Sequence, residues 1–233
     1  MILLVTHSKC IILSELVSMQ DLRLDKFKLV AGHPGLEFIN TLSGYIRVKD
    51  ETGNFKYSIY GNRLEDYIDL TSWARKVGVL DDEQAGRLLQ AAKKRPAEAE
   101  AVVTRSVKLR GILYRLFMAA IDSRPPDSKD LAGLNRELAN ARKHEEIGYS
   151  GNAFNWSRKN DEDSLDCILW EVSRLAADLL TSDMLRKVRE CSGETCGWLF
   201  LDQSRGGRRH WCDMKDCGNL AKVRRFRERS KAR

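Results

Sequence analysis

At 233 residues, with 42% apolar and 31% charged side chains, the chain is long enough for one medium domain with a full core and a small second one. No apolar run approaches the ~18 residues that span a bilayer, and the greasy start Met1-Ile-Leu-Leu-Val5 lacks a basic n-region and a cleavage site, so no membrane partner is expected and the protein reads as cytoplasmic. The formal charge is +7, and after Gly218 the residues Lys222, Arg224, Arg225, Arg227, Arg229, Lys231 and Arg233 stand against Glu228 alone, which puts nearly the whole surplus in a C-terminal block suited to a polyanion, a solvated tail being the alternative.

Residues 1–26 read as an N-terminal extension without clear periodicity, and Met19 is an alternative start. Phe27–Val30 alternates like a short strand, and Gly32-His33-Pro34-Gly35 punctuates the chain. Leu36, Ile39, Leu42, Ser43 and Ile46 then recur at helical intervals. A polar loop at 50–54 and a hairpin strand from Phe55 to Tyr60 follow. Tyr67, Leu70, Trp73, Ala74 and Val77 mark a helix closed by Gly78, and Asp81 caps the next, with Ala85, Leu88, Leu89 and Ala92 on its buried side until Pro96. A longer helix is expected from Ala97 to Ile121, ended by Arg124-Pro125-Pro126. Asp127 or Ser128 caps another bearing Leu131, Leu134 and Leu138. The Gly, Ser and Asn content from Gly148 to Asn160 predicts a loop, and Ser164 opens the last large helix, with Cys167 packed inside it. Trp73, Trp156 and Trp170 are expected in the core, with a ligand pocket as the alternative. His33, Glu37 and Asn40 fit capping and loop roles, and no catalytic motif is present, so no enzyme is expected.

The last segment carries the chemistry. Cys191-x4-Cys196-x15-Cys212-x4-Cys217 supplies two pairs of thiols at a spacing that closes a tetrahedron around one structural Zn²⁺, without need of His210. A reducing compartment favours a metal over disulfides. Gly197–Leu201 and Arg208–Trp211 predict a hairpin turning at Gly206-Gly207, and Asp213 caps a helix carrying Cys217 in its first turn, so that knuckle, hairpin and helix form a treble-clef-like module over 189–233. So small a unit cannot fold on apolar burial alone, and metal loss is expected to unfold it. On the helix, Lys222, Arg225 and Arg229 share one face for phosphates, Leu220 and Val223 lie near the other for packing on the hairpin, and Arg205, Arg208 and Arg209 extend the basic surface.

The run Cys196-Gly-Trp-Leu-Phe-Leu-Asp202, Ser204–Arg209, Trp211-Cys212-x-Met214-x2-Cys217-Gly218-Asn219 and Ala221–Arg225 resembles the CGNR-type zinc finger. That finger closes a family of bacterial stress-induced transcription regulators with an N-terminal helical domain called ABATE. Phe27-x-Leu29, Leu36-Glu-Phe-Ile-Asn40-Thr41, Leu70-x2-Trp73 with Gly78, and the 164–182 helix are similar to that domain's pattern over 27–183. The resemblance implies a mainly α fold, the four cysteines as zinc ligands, and the helix after Cys217 as the reader of nucleic acid. Asn219 is then a candidate base contact, or an asparagine bonding its own backbone. The chain departs from the motif where its final Arg is Leu220, which removes a guanidinium able to grip guanine in two places; Arg224 and Arg225 are placed to compensate. The expected function is DNA-binding regulation, with the helical domain sensing a small molecule, forming a homodimer, or both. The alternative is a protein-interaction adaptor clipped by zinc.

Overall fold

The helical periods of the middle of the chain are built around one long central helix. The computed structural model describes residues 22–49, 51, 55–158 and 163–231; Met1, Cys10, Met19, Arg233, Asn160 and most of the 50–54 loop lie outside them. In chain order the elements are α1 (Pro34–Ile39), β1 (Leu42–Lys49), β2 (Phe55–Asn62), α2 (Tyr67–Lys76), α3 (Asp82–Lys94), α4 (Pro96–Ile121), α5 (Ser128–Arg142), β3 (Glu145–Ser150), β4 (Ala153–Arg158), α6 (Cys167–Thr181), β5 (Val188–Glu190), β6 (Leu199–Leu201) and α7 (Asn219–Lys231). Among the described residues no helix is long and apolar enough to cross a membrane.

Local signals fix most of the helix ends. Asp81 and Gln84 form a reciprocal capping box at α3. Pro96 sits in the first turn of α4, and Asp127 accepts from the Lys129 amide at the start of α5. Helix α4, about 39 Å long at 1.5 Å per residue, buries Leu109, Leu113, Leu116 and Phe117 against α5 and α6 on one side and α1 to α3 on the other. Charged side chains tie the bundle at its edges: Arg115 grips Asp130 of α5 through two bonds of 2.8 and 2.6 Å, and Arg105 bridges Glu137 and Asp166. The segment before α1 is fastened to α2 through Asp69, a fully buried carboxylate bonded by Arg23 and Lys26. Trp73 and Trp170 are core residues, as expected.

The structure departs from several expectations. The helix read through Ile46 ends at Ile39, because Asn40 turns its amide to another segment and Thr41 caps back onto the Phe38 carbonyl (2.7 Å); the chain then enters β1, which pairs antiparallel with β2. Phe27–Val30 forms no strand. The loop expected from Gly148 is the β3–β4 hairpin, turned by Gly151 (φ 58°) and Asn152 (φ 64°), the two consecutive positive φ values of a type I′ turn. Trp156 lies on that hairpin, exposed, rather than in the core. Helix α6 starts at Cys167, with Cys167 buried, rather than at Ser164.

The segment Gly197–Leu201, which holds β6, pairs with residues before the first cysteine instead of with Arg208–Trp211: β5 and β6 are antiparallel, with Val188 opposite Leu201 and Glu190 opposite Leu199. Residues 208–211 form no strand, and Arg209 is drawn into the loop described below. Trp198, Leu199, Phe200 and Leu201 are all buried in the same apolar cluster as Leu36, Phe38 and Leu113, so the finger and the helical body share one core.

Candidate metal centre and nucleic-acid interface

The first cysteine pair sits on the reversal between β5 and β6. The Cys191 amide donates to the Trp198 carbonyl (2.8 Å) and the Cys196 amide to the Gly193 carbonyl (3.1 Å), which coils the two thiols toward each other. Gly197 completes the turn at φ +59°, and an added Cβ there would strike the Tyr45 carbonyl oxygen at 2.7 Å. The second pair is set by Asp213, whose carboxylate accepts from the Lys215 amide (2.8 Å) and starts a wide turn, Met214–Gly218, that carries Cys217. The Cys212 amide then points at the Cys191 sulfur (3.3 Å) and links the pairs.

All four Sγ atoms lie within 4.8 Å of one another, with Cys196–Cys212 at 3.6 Å and Cys212–Cys217 at 3.7 Å. A tetrahedron with metal–sulfur bonds of ~2.3 Å has edges of ~3.8 Å, so the donor set fits one thiophilic ion with no open position. The thiols also bond to one another. S–H bonds from Cys196 and Cys212 hold Cys191 far below the usual thiol range, while bonding to Cys191 drives Cys196 and Cys212 up and burial raises Cys217.

The helical body holds this centre through its backbone. Asn40, at the end of α1, donates from Nδ2 to the Leu199 carbonyl (2.8 Å) and accepts from the Leu199 amide at Oδ1 (3.0 Å), standing in for a third strand beside β6. The Tyr45 amide donates to the Cys196 carbonyl (2.9 Å), the Leu201 amide to the Ala31 carbonyl (2.8 Å), and the Trp198 indole to the Leu42 carbonyl (3.1 Å). At Gly44 the knuckle passes so close to β1 that a Cβ would lie 2.2 Å from the Thr195 oxygen. Lys28 pairs with both Asp213 and Asp216, and those carboxylates hold its ammonium well above the usual lysine range. His33 caps α1 by accepting from the Gly35 amide (3.2 Å), and Glu37 accepts from Ala31 (2.6 Å) and Gly32 (3.2 Å), so both have the local roles expected of them.

The basic residues separate into two groups. Arg209 is turned inward: Nε donates to the Trp211 carbonyl (2.8 Å), the other end reaches the Val30 (3.2 Å) and Cys212 carbonyls, and the guanidinium lies 4.4 Å from the Phe200 ring centroid. Asp202 organises the same loop by accepting from Ser204 and from the Arg209 amide (3.0 Å), and Gly207 has the positive φ (60°) expected of the turn. Arg209 is thus a clamp beneath the metal centre instead of part of an open basic surface, whereas Arg205 and Arg208 are exposed at the loop tip. On α7, Arg224 pairs with Glu194 and Arg225 lies 5.9 Å from the Trp211 ring centroid, so with half-buried Ala221 they face the finger. Lys222, Arg227 and Arg229 are exposed. Asn219 donates to the Lys215 carbonyl (2.9 Å) and bonds its own backbone. Leu220 and Val223, expected against the hairpin, are 66% and 47% exposed, and Phe226 is 72% exposed: Val223 and Phe226 lie opposite the side held by the Arg224–Glu194 and Arg225–Trp211 contacts, and Leu220 lies on the flank between.

Asn40, Gly44, Lys28 and Asp202 were not singled out from the sequence as parts of this centre. Asn40 and Gly44 had only a weak signal, a polar residue and a glycine interrupting an apolar period. In the helical body a cavity of ≈ 490 Å³ between α2, α3 and α4 is lined by Tyr67, Ile68, Leu89, Pro96 and Val103, with Glu65 and Glu100 at its rim.

Two family models match the chain: ABATE, "Putative stress-induced transcription regulator", over residues 32–183, and the CGNR zinc finger over residues 187–230. Comparison with the curated proteins gives no match.

Proposed function

We propose, from the premise that this chain belongs to the ABATE family and closes on a CGNR zinc finger, that it is a cytoplasmic DNA-binding transcription regulator without catalytic activity. Cys191, Cys196, Cys212 and Cys217 hold one structural Zn²⁺, which when bound supplies a cross-link and no reactive position. The helical body is the sensing or dimerising part, and the cavity between α2, α3 and α4 is its candidate site for a small apolar ligand with a polar end.

One observation carries the reading. Helix α7 leaves the metal centre directly after Cys217, is fastened to the finger on one side only, and presents Lys222, Arg227 and Arg229 to solvent on the flanks of its free side, with Arg205 and Arg208 exposed on the neighbouring loop. Five such cations on phosphates predict that log affinity for B-DNA falls with log salt at a slope of about −4 to −5. The test is fluorescence anisotropy of the zinc-loaded chain on duplex DNA over a salt series. Neutralising Lys222, Arg227 or Arg229 should each reduce the slope by about 0.9, and zinc-loaded protein that ignores duplex DNA at low salt would refute the proposal.

A second reading, a zinc-clipped adaptor, is favoured by the β3–β4 hairpin, whose Ile147–Trp156 and Tyr149–Phe154 pairs are exposed. A protein partner released by Trp156→Ser but retained after neutralising Arg225 and Arg229 would support it.

A further inference from the structure

Within the DNA-binding reading, on which this inference rests, the outward face of α7 carries more than charge. Helical geometry of 3.6 residues per turn sets Val223 and Phe226 opposite the Ala221, Arg224 and Arg225 side that the finger holds. Lys222 and Arg229 flank this apolar stripe on one side, and Leu220, Arg227 and Lys231 follow on the other. Leu220, Val223 and Phe226 are all strongly exposed, and among the described residues they have no apolar cover. An exposed Leu-Val-Phe stripe costs hydration free energy unless something apolar meets it, and cations along both margins require that the occupant be bordered by negative charge on two sides.

The major groove of B-DNA meets both conditions. It is about 12 Å wide, close to the 10–12 Å diameter of a helix with side chains, it has a phosphate chain along each wall, and its only apolar floor is the C5-methyl of thymine. We infer that α7 reads DNA through thymine methyl groups, Val223 and Phe226 on the stripe and Leu220 at its margin meeting the methyls while Lys222 and Arg229 on one flank and Arg227 and Lys231 on the other hold the phosphates. Leu220 then changes the reading rather than merely losing it. An arginine at that position would seek guanine O6 and N7, whereas leucine offers only apolar contact and so favours T·A steps.

The test compares two duplexes of identical sequence and pairing, one with thymine and one with deoxyuridine at every thymine position, which removes the methyls alone. With full-length, zinc-loaded protein, affinity for the thymine duplex should be higher by about fourfold for each methyl contacted, the value of one buried carbon. Leu220→Ser and Phe226→Ser should erase that preference while leaving zinc content and salt slope unchanged, and Leu220→Arg should shift preference toward guanine-containing duplexes. Equal affinity for both duplexes, or a preference that survives both serine variants, would overturn the inference and leave the DNA-binding reading intact; no binding to either duplex overturns both. The inference also fails if Phe226→Ser dissociates a dimer in sedimentation, or abolishes adsorption to anionic phospholipid vesicles, since either result would give the stripe another occupant.

Discussion

Replacing Asn40 by alanine tests whether the finger is an appendage or part of the body. Asn40 is 4% exposed and Leu199 fully buried, and the two exchange a pair of bonds of 2.8 and 3.0 Å. Alanine leaves the Leu199 amide and carbonyl without partners and without water. Each orphaned group costs about 1–3 kcal/mol, so the loss should be about 4 kcal/mol. For a chain of this length 1 kcal/mol shifts Tm by roughly 2–4 °C, which gives a fall of about 8–16 °C in calorimetry at fixed zinc. Asn40→Asp should be no better, since it keeps an acceptor for the amide but sets a carboxylate against the carbonyl. Hydrogen exchange supplies the local readout: the Leu199 amide should lose protection before the amides of α4. A Tm within about 2 °C of the parent, with Leu199 still protected, would refute the claim that this side chain completes the sheet.

Three further outcomes follow from the same contacts. Chelation should free residues 212–231 but leave β5 and β6 docked, because Trp198 to Leu201 belong to the common core; exchange protection lost throughout 188–201 would show instead that the metal alone folds the finger. Gly44→Ala drives a Cβ to 2.2 Å from the Thr195 oxygen, and as an overpacked contact it should cost about 1–3 kcal/mol and speed zinc release to a chromophoric chelator; an unchanged release rate would contradict the close approach. His33, whose pKa is lowered by burial, caps α1 with a neutral Nδ1. The unfolded chain therefore binds the proton more readily, and the cap's contribution is complete above about pH 6.5 and is lost as pH falls through the lower folded value. His33→Asn keeps a capping acceptor without titrating, so the stability difference between parent and variant should move against the parent by about 1 kcal/mol between pH 7.5 and pH 5 in urea melts; parallel curves would refute the assignment.

Helices with both a period and a stop signal were legible in the sequence. Asp81 with Gln84, Gly78, Pro96 and Asp127 each act locally, so α2 to α5 form where the pattern places them. The strands were less legible, because their partners decide them. Leu42 and Ile46 fit a helix as well as a strand until β2 is laid beside them, and only Leu42 turns out to be buried. The β3–β4 hairpin did leave a signal, Gly151-Asn152 between alternating large residues, but Gly, Ser and Asn around it also read as loop. In the finger, cysteine spacing marked the four thiols that the fold gathers within 4.8 Å of one another. It could not give the direction in which α7 faces. That is set by Glu194 and Trp211, which lie before the helix in sequence and beside it in space.

That orientation ties α7 to the helical body. Helix α7 has its bearing from the metal centre through Cys217 and from the knuckle through Arg224 and Glu194. The knuckle in turn is held by β1, through the Tyr45 amide on the Cys196 carbonyl and the close passage at Gly44, and the neighbouring β6 by α1 through Asn40 on Leu199. Both α1 and β1 rest on the helical core: Phe38 packs edge-on against Trp73 at 5.1 Å, and Tyr45 stacks on Tyr114 of α4 at 3.5 Å. Tyr45 therefore touches α4 through its ring and the knuckle through its backbone amide. The chain from α4 to α7 is a short series of direct contacts, and under the proposed regulator reading it is the route by which a ligand between α2, α3 and α4 acts on α7 without reaching it.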